Sequence, residues 1–132
     1  SSLDVLPTLL DLCRIAAPAQ NRFDGRALTP LLTGTGQGWP TRTLVVDTQR
    51  EDTLKPDKPS AVMTDRWRLI NGRELYDLPA DPAQQRDVAA AFPDTVARLR
   101  RAYETWWQDV SQGADEYVRL SVGGPENPAQ LT

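Results

Sequence analysis

Between Ala61 and Trp107 the chain runs through short apolar segments and tight-turn dipeptides, then continues as one long amphipathic helix with almost no linker. That spacing excludes most folds open to a chain of this size. Ala61 to Thr64, Trp67 to Asn71 and Glu74 to Leu78 each read as a strand. The first two are joined only by Asp65-Arg66, and the last two turn at Asn71-Gly72, the strongest hairpin signal in the sequence. A parallel pairing needs a crossover of about a dozen residues, and none fits here. The strands are therefore expected to pair as an antiparallel meander. Thr43 to Thr48, rich in β-branched residues, supplies a fourth strand.

Pro79 and Pro82 end the sheet, and Ala83 to Ala91 holds one or two helical turns. Pro93 then suits the first position of a helix, with Asp94 favourably placed at the positive end of its dipole. Val96, Leu99, Tyr103, Trp106 and Val110 recur at 3-4-3-4 spacing as one apolar stripe. Such a stripe covers one face of a small sheet, and each side chain contributes roughly 1.5–3 kcal/mol when fully buried. The fold class is α+β: a four-stranded antiparallel sheet packed against a long C-terminal helix, preceded by helical segments.

The preceding segments begin with a helix from Ser1 to Ile15. Asp4 is the expected N-cap, Pro7 lies in the first turn, and Leu6, Leu9, Leu10 and Cys13 share one face. Cys13 reads as a small buried residue. Pro18, Asn21 and Asp24-Gly25 mark a loop. A short second helix follows, capped by Thr29, with Pro30 first, Leu31 and Leu32 inward and Gly34 at its end. From Gly113 the chain is a Gly- and Pro-containing tail in which residues 117–122 alternate as a short strand would.

Composition narrows the function classes. The fifteen basic residues are dispersed and the net charge is −3, so the clustered basic footprint of a nucleic-acid binder is missing. No apolar run approaches the roughly 18–20 residues that span a bilayer, and neither nucleic acid nor membrane is an expected partner. There is no histidine and a single cysteine. A His-based triad, a His zinc site and an intrachain disulfide are excluded within the chain.

The run Ala61-Val62-Met63-Thr64, Trp67-Arg68-Leu69, Glu74-Leu75-Tyr76-Asp77-Leu78, Asp81-Pro82 and Asp87-Val88-Ala89 resembles the C-terminal subdomain of the sulfatases, arylsulfatase-like hydrolases of the alkaline-phosphatase-like superfamily. Asp4-Val5-Leu6-Pro7-Thr8-Leu9-Leu10-Asp11-Leu12, Asp24-Gly25-Arg26-Ala27-Leu28 and Leu31-Leu32-Thr33-Gly34 resemble the end of the large catalytic domain. The resemblance implies three parts: residues 1–40 as the tail end of the catalytic domain, 41–112 as the C-terminal subdomain, and 113–132 as an extended tail. It implies truncation at both ends, the absent catalytic domain as the partner, and self-association through the first helix when that partner is missing. The parent would hydrolyse sulfate esters with a formylglycine and calcium, often in the periplasm or outside the cell. Neither group is expected in this chain. Cys13 is followed by Arg14-Ile15-Ala16-Ala17, without the Pro/Ala and Arg of the formylglycine motif, so it is not the nucleophile. Relatives usually carry Gly where Arg14 stands. A related phosphodiesterase or phosphonate hydrolase is the alternative parent, and a stand-alone interaction module is the third reading.

No catalytic residue is assigned. Gln49 and Arg50 are the candidates for substrate contact, in the polar loop from Asp47 to Pro59 that leaves the sheet edge and also carries Lys55 and Lys58. Arg suits a sulfate because its planar fork donates two parallel hydrogen bonds. The bland alternative is a solvated loop. Arg98, Arg100 and Arg101 point in different directions on a helix, with Glu104 spaced to pair with Arg100. Trp67 and Trp106 read as core rather than sugar platforms, and Trp107 lacks an obvious partner. Asp77, Asp81 and Asp87 lack EF-hand spacing, and turn or helix capping accounts for Asp81 and Asp87.

Overall fold

The protein is described from a computed structural model. It covers residues 1–17, 20–49, 54–56 and 59–112, with the backbone of a two-strand ladder at Gly123–Gly124 and Asn127–Pro128. The tail strand expected at 117–122 lies outside the described residues.

Four strands, β1 (Leu44–Asp47), β2 (Ser60–Met63), β3 (Trp67–Ile70) and β4 (Glu74–Asp77), form a meander in the order of the chain, every pairing antiparallel. Register places Val45, Val62, Leu69 and Leu75 side by side on one face. The β3–β4 hairpin turns through Asn71 and Gly72, both with positive φ (49° and 63°), a conformation that Asn and Gly adopt most readily. Thr64 Oγ1 accepts from the Arg66 and Trp67 amides and shapes the β2–β3 turn.

Across the inner face lies the long helix, labelled α3 (Pro93–Val110), with Pro93 in its first turn. Val62, Trp67, Leu69, Leu75, Val96 and Leu99 form the core, with Leu75 and Leu99 fully buried. The expected stripe therefore covers the strands, with one correction. Val110 is 46% exposed, because the helix outlasts the four-residue strands beneath it. Between sheet and helix, Asp87 Oδ1 accepts from the Leu75 and Ala89 amides. These bonds tie β4 to the 3-10 turn Ala89–Ala91 and hold the Asp87 carboxyl below its usual range, against some burial.

The first helix, α1 (Val5–Leu12), is entered through a 3-10 turn at Ser2–Asp4. Asp4 holds the expected N-cap position of α1, but its side chain makes no cap bond. Its carboxylate is buried instead, receiving both terminal nitrogens of Arg42 and the Arg26 amide at 2.9 Å. Arg42 first and the Arg26 amide with it hold Asp4 well below the usual carboxylate range, although burial opposes them. One helical turn on, buried Thr8 donates to the Asp4 carbonyl and accepts from the Leu28 amide. Gly25 is pressed against this junction. A Cβ on it would stand 1.9 Å from the Leu3 carbonyl oxygen, so no larger residue fits without moving backbone.

Arg14 ends α1 with φ 54°, the left-handed conformation that glycine adopts most readily. Ile15 donates to the Leu10 carbonyl and Arg14 to that of Asp11, which completes a Schellman cap.

The second helix, α2 (Thr29–Leu32), is a single turn ended at Thr33 before Gly34, whose φ is 75°. Thr29 is not its N-cap. Leu28 holds that position, and the Thr29 hydroxyl is buried without a partner. Leu31 and Leu32 do not turn inward, being 47% and 66% exposed. On α1, Leu6 and Leu9 are exposed too, with Leu3, Val5 and Leu12 beside them. Cys13 is likewise exposed and not buried as expected. Neither helix contributes a residue to the core, so the periodicity of α1 marks a face with no partner among the described residues.

Candidate functional site

The candidate site is the mouth between the β1–β2 loop, the β3–β4 hairpin and the middle of α3. The loop is pinned at its feet. Thr48 donates to the Pro59 carbonyl, continuing the strand pairing outward. The Gln49 amide bridges the loop: Nε2 donates to Asp47 Oδ1 and the Lys55 carbonyl, and Oε1 accepts from the Lys55 amide. From α3, the Tyr103 hydroxyl reaches Asp47 Oδ2 at 2.8 Å and the Pro56 carbonyl. Gln49 is thus engaged on both sides of its amide within the loop base. Arg50 lies outside the described residues, as does Lys58.

Beside the loop base opens a cleft of about 690 Å³. Ser60 and Val62 of β2, Leu69 of β3, the hairpin residues Asn71 to Arg73, and Arg100, Tyr103 and Glu104 of α3 line it. Arg100 Nε donates to the Gly72 carbonyl at 2.6 Å, which fastens the helix to the hairpin. The expected pairing of Arg100 with Glu104 is replaced by this bond. A carbonyl held within reach by packing offers a fixed acceptor, whereas an exposed i,i+4 pair is worth only a few tenths of a kcal/mol.

The aromatic residues near the mouth pack on one another. Tyr103 stacks with Trp107 (centroids 6.3 Å apart, planes at 17°) and meets Trp106 at 5.8 Å. Trp107 therefore has internal partners. Trp67 is covered by Phe92 and by the Arg66 guanidinium, which also forks onto Asp77.

A calcium site does not fit these residues. Asp77 accepts from Arg66, Asp81 from the Gln85 and Arg86 amides, and Asp87 from the Leu75 and Ala89 amides. No group of three acidic or cysteine residues among the described ones could surround a cation. Cys13 stands alone and exposed at the end of α1.

Sequence reasoning located the loop but missed its anchors. Tyr103 belongs to the apolar stripe, and only its polar tip hinted at a partner. The Arg100 contact spans twenty-eight positions and had no local signal.

No family model matches the chain. Among characterised proteins it is 29% identical over 128 residues to a Delta 4,5-hexuronate-2-O-sulfatase of Bacteroides thetaiotaomicron, covering 92% of this chain and 26% of that protein. It is 30% identical over 122 residues to arylsulfatase K of Gallus gallus, covering 75% of this chain and 20% of that protein. Among solved structures, that of a 2-O GAG sulfatase superposes with a TM-score of 0.62 at 24% identity, covering 89% of this chain and 26% of that one. At that identity the superposition shows the fold alone. The chain spans about a quarter or less of the length of these relatives.

Proposed function

We propose, from the premise that the chain is a sulfatase-like C-terminal portion, that it completes an enzyme whose catalytic centre lies in sequence upstream of it and which hydrolyses sulfate esters. The observation that carries this reading is the set of exposed side chains Leu3, Val5, Leu6, Leu9 and Leu12 on the first turns of the chain, with Leu31 and Leu32 of α2 exposed as well. Exposed apolar side chains gathered on one short helix mark a docking surface. A stand-alone interaction module would have no reason to leave its own helices outside its core. The occupant is the catalytic part, within the three quarters of the relative's length that the match does not span. In this arrangement α1 and α2 belong to the catalytic part and the sheet with α3 forms the appendage. The β1–β2 loop, with Gln49 stiffening its base, borders the substrate cleft, and Arg50 is the residue assigned to meet the sulfated substrate.

Two measurements test this. The 132-residue chain alone is expected to leave aryl sulfates untouched, while the same chain joined to a sulfatase catalytic part gives a soluble, active enzyme. Turnover by the chain alone would overturn the reading. In the joined enzyme, Arg50→Ala is expected to lower kcat/KM for sulfated substrates. Unchanged values across several substrates would remove Arg50 from the cleft.

A further inference from the structure

We propose that Asn71 is a latent modification site: its side chain deamidates through the Gly72 amide once α3 lifts from the β3–β4 hairpin, and the closed hairpin holds that reaction off. The inference rests on the geometry of the turn and not on the sulfatase reading. Two of the three conditions for the reaction are met. The nucleophile is unencumbered: Gly72 has no Cβ, and its N–H meets no acceptor among the described residues. The electrophile is polarised: Asn71 Oδ1 accepts from the Ser60 amide at 3.0 Å, a donor aimed at the oxygen on which charge would build. Asn71 also donates its own N–H to the Ser60 carbonyl at 2.9 Å, so β2 grips it by backbone and side chain together. The residue is exposed, with water at hand.

The third condition is withheld. Positive φ at Asn71 and Gly72, with the Arg73 amide donating to the Ile70 carbonyl at 2.9 Å, makes a type I′ turn. That turn sets Asn71 ψ at about +30°, which places the Gly72 nitrogen nearly opposite Cβ across the Cα–C bond. Ring closure onto Cγ needs the two on the same side. The rotation that brings them together swings the Gly72 carbonyl away from Arg100 Nε, which holds it at 2.6 Å. The contact between helix and hairpin is thus the catch.

When the catch opens, the Gly72 nitrogen attacks Asn71 Cγ. The N–Cγ bond forms, the Cγ–Nδ2 bond breaks, and ammonia leaves with the amide proton. Water then opens the five-membered imide at either carbonyl and leaves an aspartyl or isoaspartyl residue at position 71. The isoaspartyl product carries the main chain through an added carbon. A two-residue turn then no longer closes between β3 and β4, Gly72 does not return to Arg100, and the opening becomes permanent.

The test follows the tryptic peptide 69–73 of the 132-residue chain by chromatography and mass spectrometry after incubation at mildly alkaline pH. The folded parent should deamidate at least about tenfold more slowly than the same chain in denaturing urea, as a site that reacts only through local opening does. Arg100→Ala, with its circular dichroism unchanged, should deamidate about tenfold faster than the folded parent, the scale of one hydrogen bond to a charged group. In the parent, urea below the unfolding transition should raise the rate in step with exchange of the Arg73 amide, which checks the catch without a substitution. Equal rates in the folded and unfolded parent would overturn the proposal. So would an Arg100→Ala rate equal to the parent's, or an isoaspartyl product whose Arg73 amide stays protected.

Discussion

Asp4 and Arg42 face each other as a buried fork, joining the first turn of the chain to the residue two positions before β1. The carboxylate is fully buried, so losing its partner leaves a charge with no water to replace it. Because the core contains nothing from α1 or α2, this pair, Thr8 and the Gly25 contact fasten the helical segment.

Asp4→Ala is expected to loosen the helical segment by about 1–3 kcal/mol, the cost of losing hydrogen bonds to a charged group while half-buried Arg42 regains water. The sheet should stay intact. Hydrogen exchange by mass spectrometry checks this: amides of Leu9 to Cys13 should lose protection, while those of β2 and β3 keep theirs.

Acid should have the same local effect. Arg42 and the Arg26 amide lower the Asp4 carboxyl in the folded chain, so its stabilisation is fully present above the ordinary aspartate value of about 3.9. It is lost as pH falls below that value toward the depressed folded one. Protection of α1 amides measured from pH 5 down to pH 2 should decline ahead of the sheet. In Asp4→Asn the decline should be absent or much reduced.

How much of this was legible in advance depended on where each residue's partner lies. The α3 stripe was readable because Val96 and Leu99 close on Leu69 and Leu75 of the same chain. The hairpin at Asn71-Gly72 was readable because its conformation is local. Asp4 stands at the N-cap as read, but the use of its carboxylate was not legible, because Arg42 lies thirty-eight positions away. Leu6, Leu9 and Cys13 misled differently. Periodicity reports that a face is apolar, not whether its partner is part of the same chain. Of the candidate site, the loop was visible from its polarity, while Tyr103 and Arg100 depend on the register between helix and sheet.

Leu99→Ala should destabilise the sheet unit by about 2–5 kcal/mol, since the side chain is fully buried. Val110→Ala on the same stripe should change stability by less than about 0.5 kcal/mol. Urea unfolding followed by Trp fluorescence separates the two. Equal effects would mean that α3 is buried to its end.

Arg14→Gly should raise the stability of α1 by about 0.5–1 kcal/mol, because glycine accepts a φ of 54° without the side-chain penalty. Helicity of the segment, followed by exchange protection at Ile15, gives the readout.

The isolated chain is expected to self-associate through the α1 face, and Leu6→Glu with Leu9→Glu should keep it monomeric at the same concentration, because both side chains are exposed. Sedimentation velocity provides the comparison. Identical profiles would place any association elsewhere.

The Gln49 bridge to Lys55 and the Tyr103 hydroxyl on Asp47 and Pro56 clamp both ends of one excursion to the scaffold. None of Gln49, Lys55 and Pro56 belongs to a strand or to the core. The clamps that hold the excursion to the scaffold are thus distinct from the contacts that build the sheet, so substitutions at Gln49 can loosen the one without undoing the other.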